Sequence, residues 1–259
     1  MNGMGSFKLS AADWCFYPKV GDPARYYDTL KGLGIDGVEM VDPSRYAAAR
    51  SAGLRIVTMS GPGMTRGLNR LEHHAELIPQ IRDAIRQAGE NEIPILIVFS
   101  GNRAGQSDAE GIENCRRGLE ALLKDAERAG VILGFEMLNT RDHPDYQADR
   151  GQFGFALVEA VGSPRLKLVY DIYHMESMGD DSAADIVRHL SSIAHLHVAE
   201  RPRRSRPLAD GNIRHGRIVP AVAEAGYNGY WGLEFIPSED ARSDLREAAA
   251  LFRRPAAAP

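Results

Sequence analysis

Four polar side chains each lie inside an apolar segment of the second half of the chain. They are Glu136 in LGFEMLN, Asp171 in LVYDIYH, His197 in AHLHVAE and Glu234 in WGLEFIP. Successive side chains of a β-strand point to opposite faces. If the apolar neighbours face a layer of helices, the four polar residues face the opposite, inner side. The pattern therefore predicts that polar groups from four consecutive strands share one space.

Three carboxylates and an imidazole in one buried space would repel each other and lose hydration unless a cation lay between them. A divalent metal ion satisfies this requirement. An oxygen-rich set of ligands with a single histidine favours Mn²⁺ or Mg²⁺, with Co²⁺ as a further candidate, over a thiolate-bound structural Zn²⁺. The alternative is that each polar group is hydrogen-bonded separately in the core or caps a helix. Four such residues in consecutive strands favour the metal site.

The segments that must position these residues alternate between short apolar runs and longer amphipathic stretches. This rhythm is typical of βα units around a parallel sheet. Eight units can be counted, which predicts a single (β/α)₈ TIM-barrel domain over residues 1–259. The predicted strands are Lys8–Asp13, Gly37–Val41, Arg55–Ser60, Ile93–Ser100, Val131–Asn139, Leu166–His174, Ile193–Glu200 and Tyr230–Pro237.

Helix boundaries are marked by capping residues and by hydrophobic periodicity. Asp22-Pro23 and Asp42-Pro43 each place a carboxylate before a proline, as is common at the start of a helix. The periodicity predicts helices over Leu68–Ala88, Asp108–Ala129 and Asp240–Phe252.

Charge balance and apolar runs limit the classes of partner. The chain has 259 residues with 31 Lys+Arg against 35 Asp+Glu, a net charge of -4, so we expect no nucleic-acid partner. The longest apolar run, Ile93–Phe99, is far shorter than the roughly 20 residues of a membrane-spanning helix. The first residues lack a secretory leader, and two distant cysteines, Cys15 and Cys115, fit reduced thiols. We expect a cytoplasmic protein with a small-molecule partner, and a homo-oligomer is compatible with the sequence.

Several segments along the chain have a familiar form when taken together with the four polar residues. They are FSGNRAG (99–105), DHPDYQAD (142–149), YDIYHM (170–175), HLHVAERPRR (195–204) and GLEFIP (232–237). In combination they resemble the hydroxypyruvate isomerase branch of the xylose-isomerase-like TIM barrels, also called AP endonuclease family 2. The resemblance extends from about Gly34 to Pro237.

The resemblance implies a (β/α)₈ barrel with one Mn²⁺ or Mg²⁺ bound by Glu136, Asp171, His197 and Glu234. It further implies that Glu136 and Glu234 are the catalytic acid and base, leaving Asp171 and His197 mainly as structural ligands. The reaction would be an aldose–ketose isomerisation through an enediolate, in which a proton moves between two neighbouring carbons.

Two more residues are predicted to bind the substrate. His174 follows Asp171 by three positions and matches the DxxH pattern, so it could donate a hydrogen bond to a substrate oxygen. Arg203 occupies the position of a substrate-binding arginine in related isomerases and epimerases, and a guanidinium group suits a carboxylate. Arg201 and Arg204 are rival candidates, and the alternative is a solvated basic loop. One segment, DGNIRHGRI (210–218), departs from the branch by carrying Arg214 and His215. The added positive charge is compatible with an acidic substrate.

The first functional hypothesis is therefore an isomerase of a small 2-oxo or 2-hydroxy acid, such as hydroxypyruvate or a 2-oxotetronate. A ketose 3-epimerase, or a related carbohydrate-active lyase, would use the same metal site. A DNA repair endonuclease should carry histidine ligands at the second and third strand ends, but GVEMVDP and RIVTMSGPG contain none. A metal-free relative that has lost activity is disfavoured because all four ligands are present.

Overall fold

The computed structural model describes residues 7–252, and it confirms the predicted barrel. Eight strands follow one another in sequence order around a closed barrel. This is the (β/α)₈ architecture of a TIM barrel. The strands are β1 Lys8–Ala12, β2 Gly37–Glu39, β3 Arg55–Ser60, β4 Ile95–Phe99, β5 Ile132–Glu136, β6 Leu166–Asp171, β7 Ile193–Val198 and β8 Tyr230–Leu233.

Helices follow the strands along the described chain. They are α1 Asp13–Val20, α2 Pro23–Gly32, α3 Tyr46–Ser51, α4 Leu71–Glu90, α5 Asp108–Glu120, α6 Leu123–Ala129, α7 Gly151–Val161, α8 Ile172–Met178, α9 Ser182–Arg188, α10 His215–Glu224 and α11 Ala241–Leu251. Short 3₁₀ turns lie at Pro43–Arg45 and Leu190–Ser192. Between residues 7 and 252, no helix is long and apolar enough to cross a bilayer.

Contacts within the chain concentrate in two units, and the single-domain organisation over residues 1–259 stays a prediction. One unit comprises the chain up to Val57 together with the chain from His197 onward. In it, β1 pairs in parallel with β2 and β8, with Ala12 opposite Glu39 and Ala11 opposite Leu233. This register places the end of β2 beside the end of β1.

The other unit comprises Thr58–Leu196. In it, β5 pairs in parallel with β4 and β6, so that Glu136 lies opposite Phe99 and Val169. All five residues of β4 are buried and apolar, as expected for a parallel strand covered on both faces. The longest apolar run of the sequence is therefore a core strand.

Seven of the eight predicted strands extend beyond the observed strands, and in two of them a predicted site residue falls outside its strand. The sixth was expected to reach His174, but β6 ends at Asp171, whose side chain accepts a hydrogen bond from the backbone N–H of His174 and caps α8. The eighth was expected to reach Pro237, but β8 ends at Leu233. His174 consequently lies in the first turn of a helix, and Glu234 lies directly after its strand.

The two carboxylates predicted to cap helices both form capping hydrogen bonds. The Asp22 carboxylate accepts a hydrogen bond from the Arg25 N–H at 2.7 Å, and Asp42 accepts one from the Ser44 N–H at 3.0 Å. The second cap precedes a 3₁₀ turn and not an α-helix. The predicted helix over Asp108–Ala129 is interrupted after Glu120 and continues from Leu123 as α6.

Candidate metal centre and substrate site

The four polar residues singled out by their strand context lie at or next to strand ends. Glu136 and Asp171 are the last residues of β5 and β6, His197 is the penultimate residue of β7, and Glu234 directly follows β8. All four are buried. Each offers one ligand atom to a group that could hold a metal ion. Their function as ligands of a single ion stays a prediction.

Glu234 is held by three neighbours. Its Oε2 lies 2.9 Å from His197 Nδ1 and 2.7 Å from Arg204 Nη2, while Trp14 Nε1 donates a hydrogen bond to its Oε1 at 3.0 Å. Burial alone would raise the pKa of Glu234. The charges and hydrogen bonds of His197 and Arg204 outweigh burial and hold that pKa well below its usual range. Glu234 is therefore a carboxylate, the form that can bind a cation.

His197 lies between two carboxylates. While Nδ1 faces Glu234, its Nε2 lies 3.0 Å from Oε2 of Glu39, the last residue of β2. The other oxygen of Glu39 accepts a hydrogen bond from Ser10 Oγ at 2.6 Å. Ser10, Glu39 and His197 are all fully buried. Both ring nitrogens of this histidine are consequently directed to acidic groups.

His174 is buried beside Asp171, with its Nε2 3.5 Å from Asp171 Oδ2. Its Nδ1 accepts a hydrogen bond from the backbone N–H of Asn139 at 3.1 Å. A neutral imidazole with an accepting Nδ1 carries its proton on Nε2. Asn139 is itself anchored, because its side-chain amide donates to Asp142 Oδ2 at 3.0 Å. This ring is therefore fixed with its N–H on the side of Asp171.

The two neighbouring arginines of the β7 loop differ in their surroundings. Arg203 is exposed, and its substrate-binding function stays a prediction. Arg204 donates from Nε to the Glu234 carbonyl oxygen at 3.0 Å, and its guanidinium lies over the Trp14 ring, 5.8 Å from the centroid. Arg204 thus stabilises Glu234, whereas Arg203 leaves its guanidinium open to solvent and to small molecules.

Sequence reasoning missed Glu39 and assigned no polar contact to Trp14. Glu39 carries the same signal as the other carboxylates, since it stands between Val38 and Met40 at a strand end. The segment GVEMVDP, which contains Glu39, entered the prediction only through its lack of a histidine ligand. Trp14 is 45% exposed, but its indole N–H is bound to Glu234. No local pattern links Trp14 to a residue 220 positions away.

The donor set fits a hard or borderline divalent cation. Three carboxylates supply oxygen ligands, one imidazole supplies nitrogen, and the described cluster contains no thiolate. Burying these acidic groups together is costly without a positive charge among them. The four residues form a candidate metal-binding cluster.

Comparison with protein families agrees with this architecture. The family described as "Xylose isomerase-like TIM barrel" matches residues 27–254. The chain belongs to this family.

Individual curated relatives point to a narrower class of enzyme than the family does. The chain is 28% identical over 263 residues to "Putative hydroxypyruvate isomerase" of Homo sapiens, covering 92% of each chain. It is 32% identical over 112 residues to "2-oxo-tetronate isomerase" of Cupriavidus necator, covering 43% of each chain. These relatives are isomerases, and the chain is hydroxypyruvate isomerase-like in sequence.

A solved structure supports the fold. The AP endonuclease, family 2, from Brucella melitensis superposes with a TM-score of 0.84 at 21% sequence identity. The match covers 95% of this chain and 99% of that chain. At this identity the similarity concerns the barrel alone.

Proposed function

We propose that this chain is a divalent-metal-dependent isomerase of a small 2-oxo or 2-hydroxy acid. The substrate would be hydroxypyruvate, converted to tartronate semialdehyde, or a 2-oxotetronate, and the intermediate an enediolate. The observation that carries the proposal is the buried set of Glu136, Asp171, His197 and Glu234. The printed names of the relatives supply the substrate class.

The four residues would hold Mn²⁺ or Mg²⁺, with Co²⁺ as a further candidate. Such an ion supplies Lewis-acid stabilisation of negative charge on substrate oxygens. Glu136 and Glu234 would act as the acid/base pair: one carboxylate removes a proton from the hydroxyl-bearing carbon next to the carbonyl, and the protonated member of the pair returns a proton to the neighbouring carbon. The substrate hydroxyl proton passes to the former carbonyl oxygen, so that no proton is gained or lost. The Trp14 N–H and the Arg204 guanidinium keep the Glu234 carboxylate in place.

His174 and Arg203 would bind the substrate. The Nε2–H of His174 is the proton that the ring can donate to a substrate oxygen, because Nδ1 is engaged by the Asn139 backbone. Arg203 would form a bidentate pair with the substrate carboxylate. Cys15 and Cys115 are buried free thiols, which fits the cytoplasmic location that we include in the proposal.

Replacing Arg203 by alanine is expected to weaken the binding of acidic substrates more than the binding of neutral ones. The loss of a charged hydrogen-bonding partner should cost about 1.5–3 kcal/mol for a carboxylate substrate, and less for a neutral ketose. The measurement is kcat/KM for both substrate types. Arg203→Lys should recover part of the loss, since it keeps the charge but not the fork. Arg246→Ala, which removes an exposed arginine from α11, is the control. Equal losses for acids and ketoses would remove Arg203 from the carboxylate site.

Proton NMR in D₂O tests the proposed reaction. The protein is loaded with Mg²⁺ for the spectra and with Mn²⁺ in parallel activity assays. It is then incubated with hydroxypyruvate, a 2-oxotetronate and several ketoses. Metal-dependent loss of a carbon-bound proton from one of the acids is the expected result. Exchange confined to ketoses would instead establish the 3-epimerase. Absence of exchange in metal-loaded protein would contradict isomerisation of these compounds and favour a lyase.

A further inference from the structure

Glu39 and Glu234 contact opposite nitrogens of the His197 ring. The His197 ring has Nε2 3.0 Å from Glu39 Oε2 and Nδ1 2.9 Å from Glu234 Oε2. One nitrogen therefore faces the four-residue cluster, and the other faces a residue outside it. A histidine can bind a metal only through a nitrogen that carries no proton. The group that holds the proton on one ring nitrogen therefore decides which nitrogen can bind a cation. If a carboxylate at Nε2 accepts the Nε2–H, Nδ1 is left unprotonated and can be the ligand.

Glu39 is itself held in one orientation. Ser10 Oγ donates to its Oε1 at 2.6 Å, which leaves Oε2 directed to the imidazole. The parallel register of β1 and β2, with Ser10 opposite Gly37 and Ala12 opposite Glu39, fixes the separation of these two residues. Both side chains are fully buried, so water does not compete for these hydrogen bonds. Rotation of Glu39 away from His197 would break the bond to Ser10.

We propose that Glu39 is a positioning residue that accepts the Nε2–H of His197 and thereby presents Nδ1 as the ligand atom. Ser10 in turn orients Glu39. A carboxylate that fixes a metal-binding histidine in this way is worth about 10- to 100-fold in metal affinity in other proteins. The inference rests on the proposed metal function of the site.

Two of these buried side chains admit a second arrangement together with the buried His195. Glu39, His195 and His197 each offer a ligand atom within 4.8 Å of the others, so a second cation could lie among them. In that arrangement Glu39 would be a ligand, and His197 would carry no proton on Nε2. The two arrangements differ in the number of ions bound per chain and in the protonation of one nitrogen atom.

The first test is metal affinity. Titration of the metal-free full chain with Mn²⁺, following the signal of free Mn²⁺ by electron paramagnetic resonance, gives both the Kd and the number of ions. We expect one ion per chain and a Kd raised about 10-fold in Glu39→Gln and about 100-fold in Glu39→Leu. Glutamine keeps an acceptor and loses the charge, while leucine loses both. Glu224→Gln, an exposed residue of α10, should bind as the wild type does.

The second test is nitrogen-15 NMR of the imidazoles, with the His197 signals assigned by their loss in His197→Asn. Wild-type protein loaded with Mg²⁺ should show a protonated Nε2 at His197 and an unprotonated Nδ1. The Nε2–H signal should also be present without metal, and it should shift in Ser10→Ala and Glu39→Gln. This readout requires no activity and remains decisive if Glu39→Leu does not fold.

The outcomes separate the two claims. A folded Glu39→Leu that binds Mn²⁺ within about threefold of wild type, two ions per chain, or an unprotonated Nε2 in the Mg²⁺ form would overturn the positioning function of Glu39. Failure of the wild type to bind Mn²⁺ or Mg²⁺ would overturn the metal-dependent function. In that case the Nε2–H signal of the metal-free protein, and its response to Ser10→Ala, would still decide whether Glu39 holds the ring.

Discussion

Glu136→Gln is expected to lower kcat by about 100-fold or more, because an acid/base group typically contributes 10²- to 10⁴-fold to a proton transfer. Glutamine has nearly the same shape but neither accepts nor delivers a proton at neutral pH. Glu136 lies opposite Phe99 of β4 in the parallel sheet, and its carbonyl oxygen accepts a hydrogen bond from the Tyr146 hydroxyl at 2.9 Å. Both interactions are independent of the side-chain charge, so the fold should be retained. The measurement is kcat on the acid that shows exchange in D₂O.

The matched control for this variant is Glu159→Gln, which makes the same change at an exposed position of α7. Its kcat should equal that of the wild type. Because Glu136 is also a predicted metal ligand, the assay is repeated at increasing Mn²⁺ until kcat no longer changes. A variant that keeps more than about a tenth of the wild-type kcat at saturating metal would contradict the acid/base function.

Divalent metal is expected to stabilise the folded protein in a manner that depends on Asp171. A ligand that binds only the native state at about 100 times its Kd adds about 2.7 kcal/mol to the free energy of unfolding. Mn²⁺ or Mg²⁺ should therefore raise the unfolding midpoint of the metal-free protein, and a chelator should reverse the shift. Activity should fall with the chelator and return with the metal. Urea denaturation at several metal concentrations gives the stabilisation without reference to turnover.

In Asp171→Asn, most of this stabilisation should be lost because one anionic ligand is missing. Asparagine can still cap α8 at the backbone N–H of His174, so the metal-free variant should be about as stable as metal-free wild type. Asp28→Asn, an exposed residue of α2, is the control and should keep the full metal effect. If metal stabilises Asp171→Asn as much as the wild type, Asp171 is not a ligand.

The buried polar positions at the strand ends could be predicted because they depend on a local property of the sequence. An isolated polar residue between apolar neighbours in a short β-branched segment marks the inner face of a covered strand, whatever the rest of the chain does. Glu136, Asp171 and His197 follow this rule as strand residues. Glu234 follows it from one residue beyond β8. The βα rhythm likewise determined the barrel, since each unit can bury its apolar faces only by joining a closed sheet covered by helices.

Boundaries and orientations were decided by tertiary structure. The sequence placed His174 in a strand, but the Asp171 carboxylate caps a helix there and turns the imidazole back toward Asp171. The segment IYHM is compatible with a strand and with a short helix. Hydrophobic periodicity over so few residues does not distinguish the two. Hydrogen bonding to a side chain at the end of β6 resolves the ambiguity.

The partners around Glu234 and His197 were also beyond the sequence. Trp14 reaches Glu234 across 220 positions, and Glu39 reaches His197 across 158. Such contacts depend on the register of the strands and on the loop that selects Arg204 over Arg203 for the Glu234 carboxylate. The sequence by itself determined which residues are polar at the strand ends. Only the closed barrel decided which of them touch, because distances between strands are set by parallel pairing and not by any period along the chain.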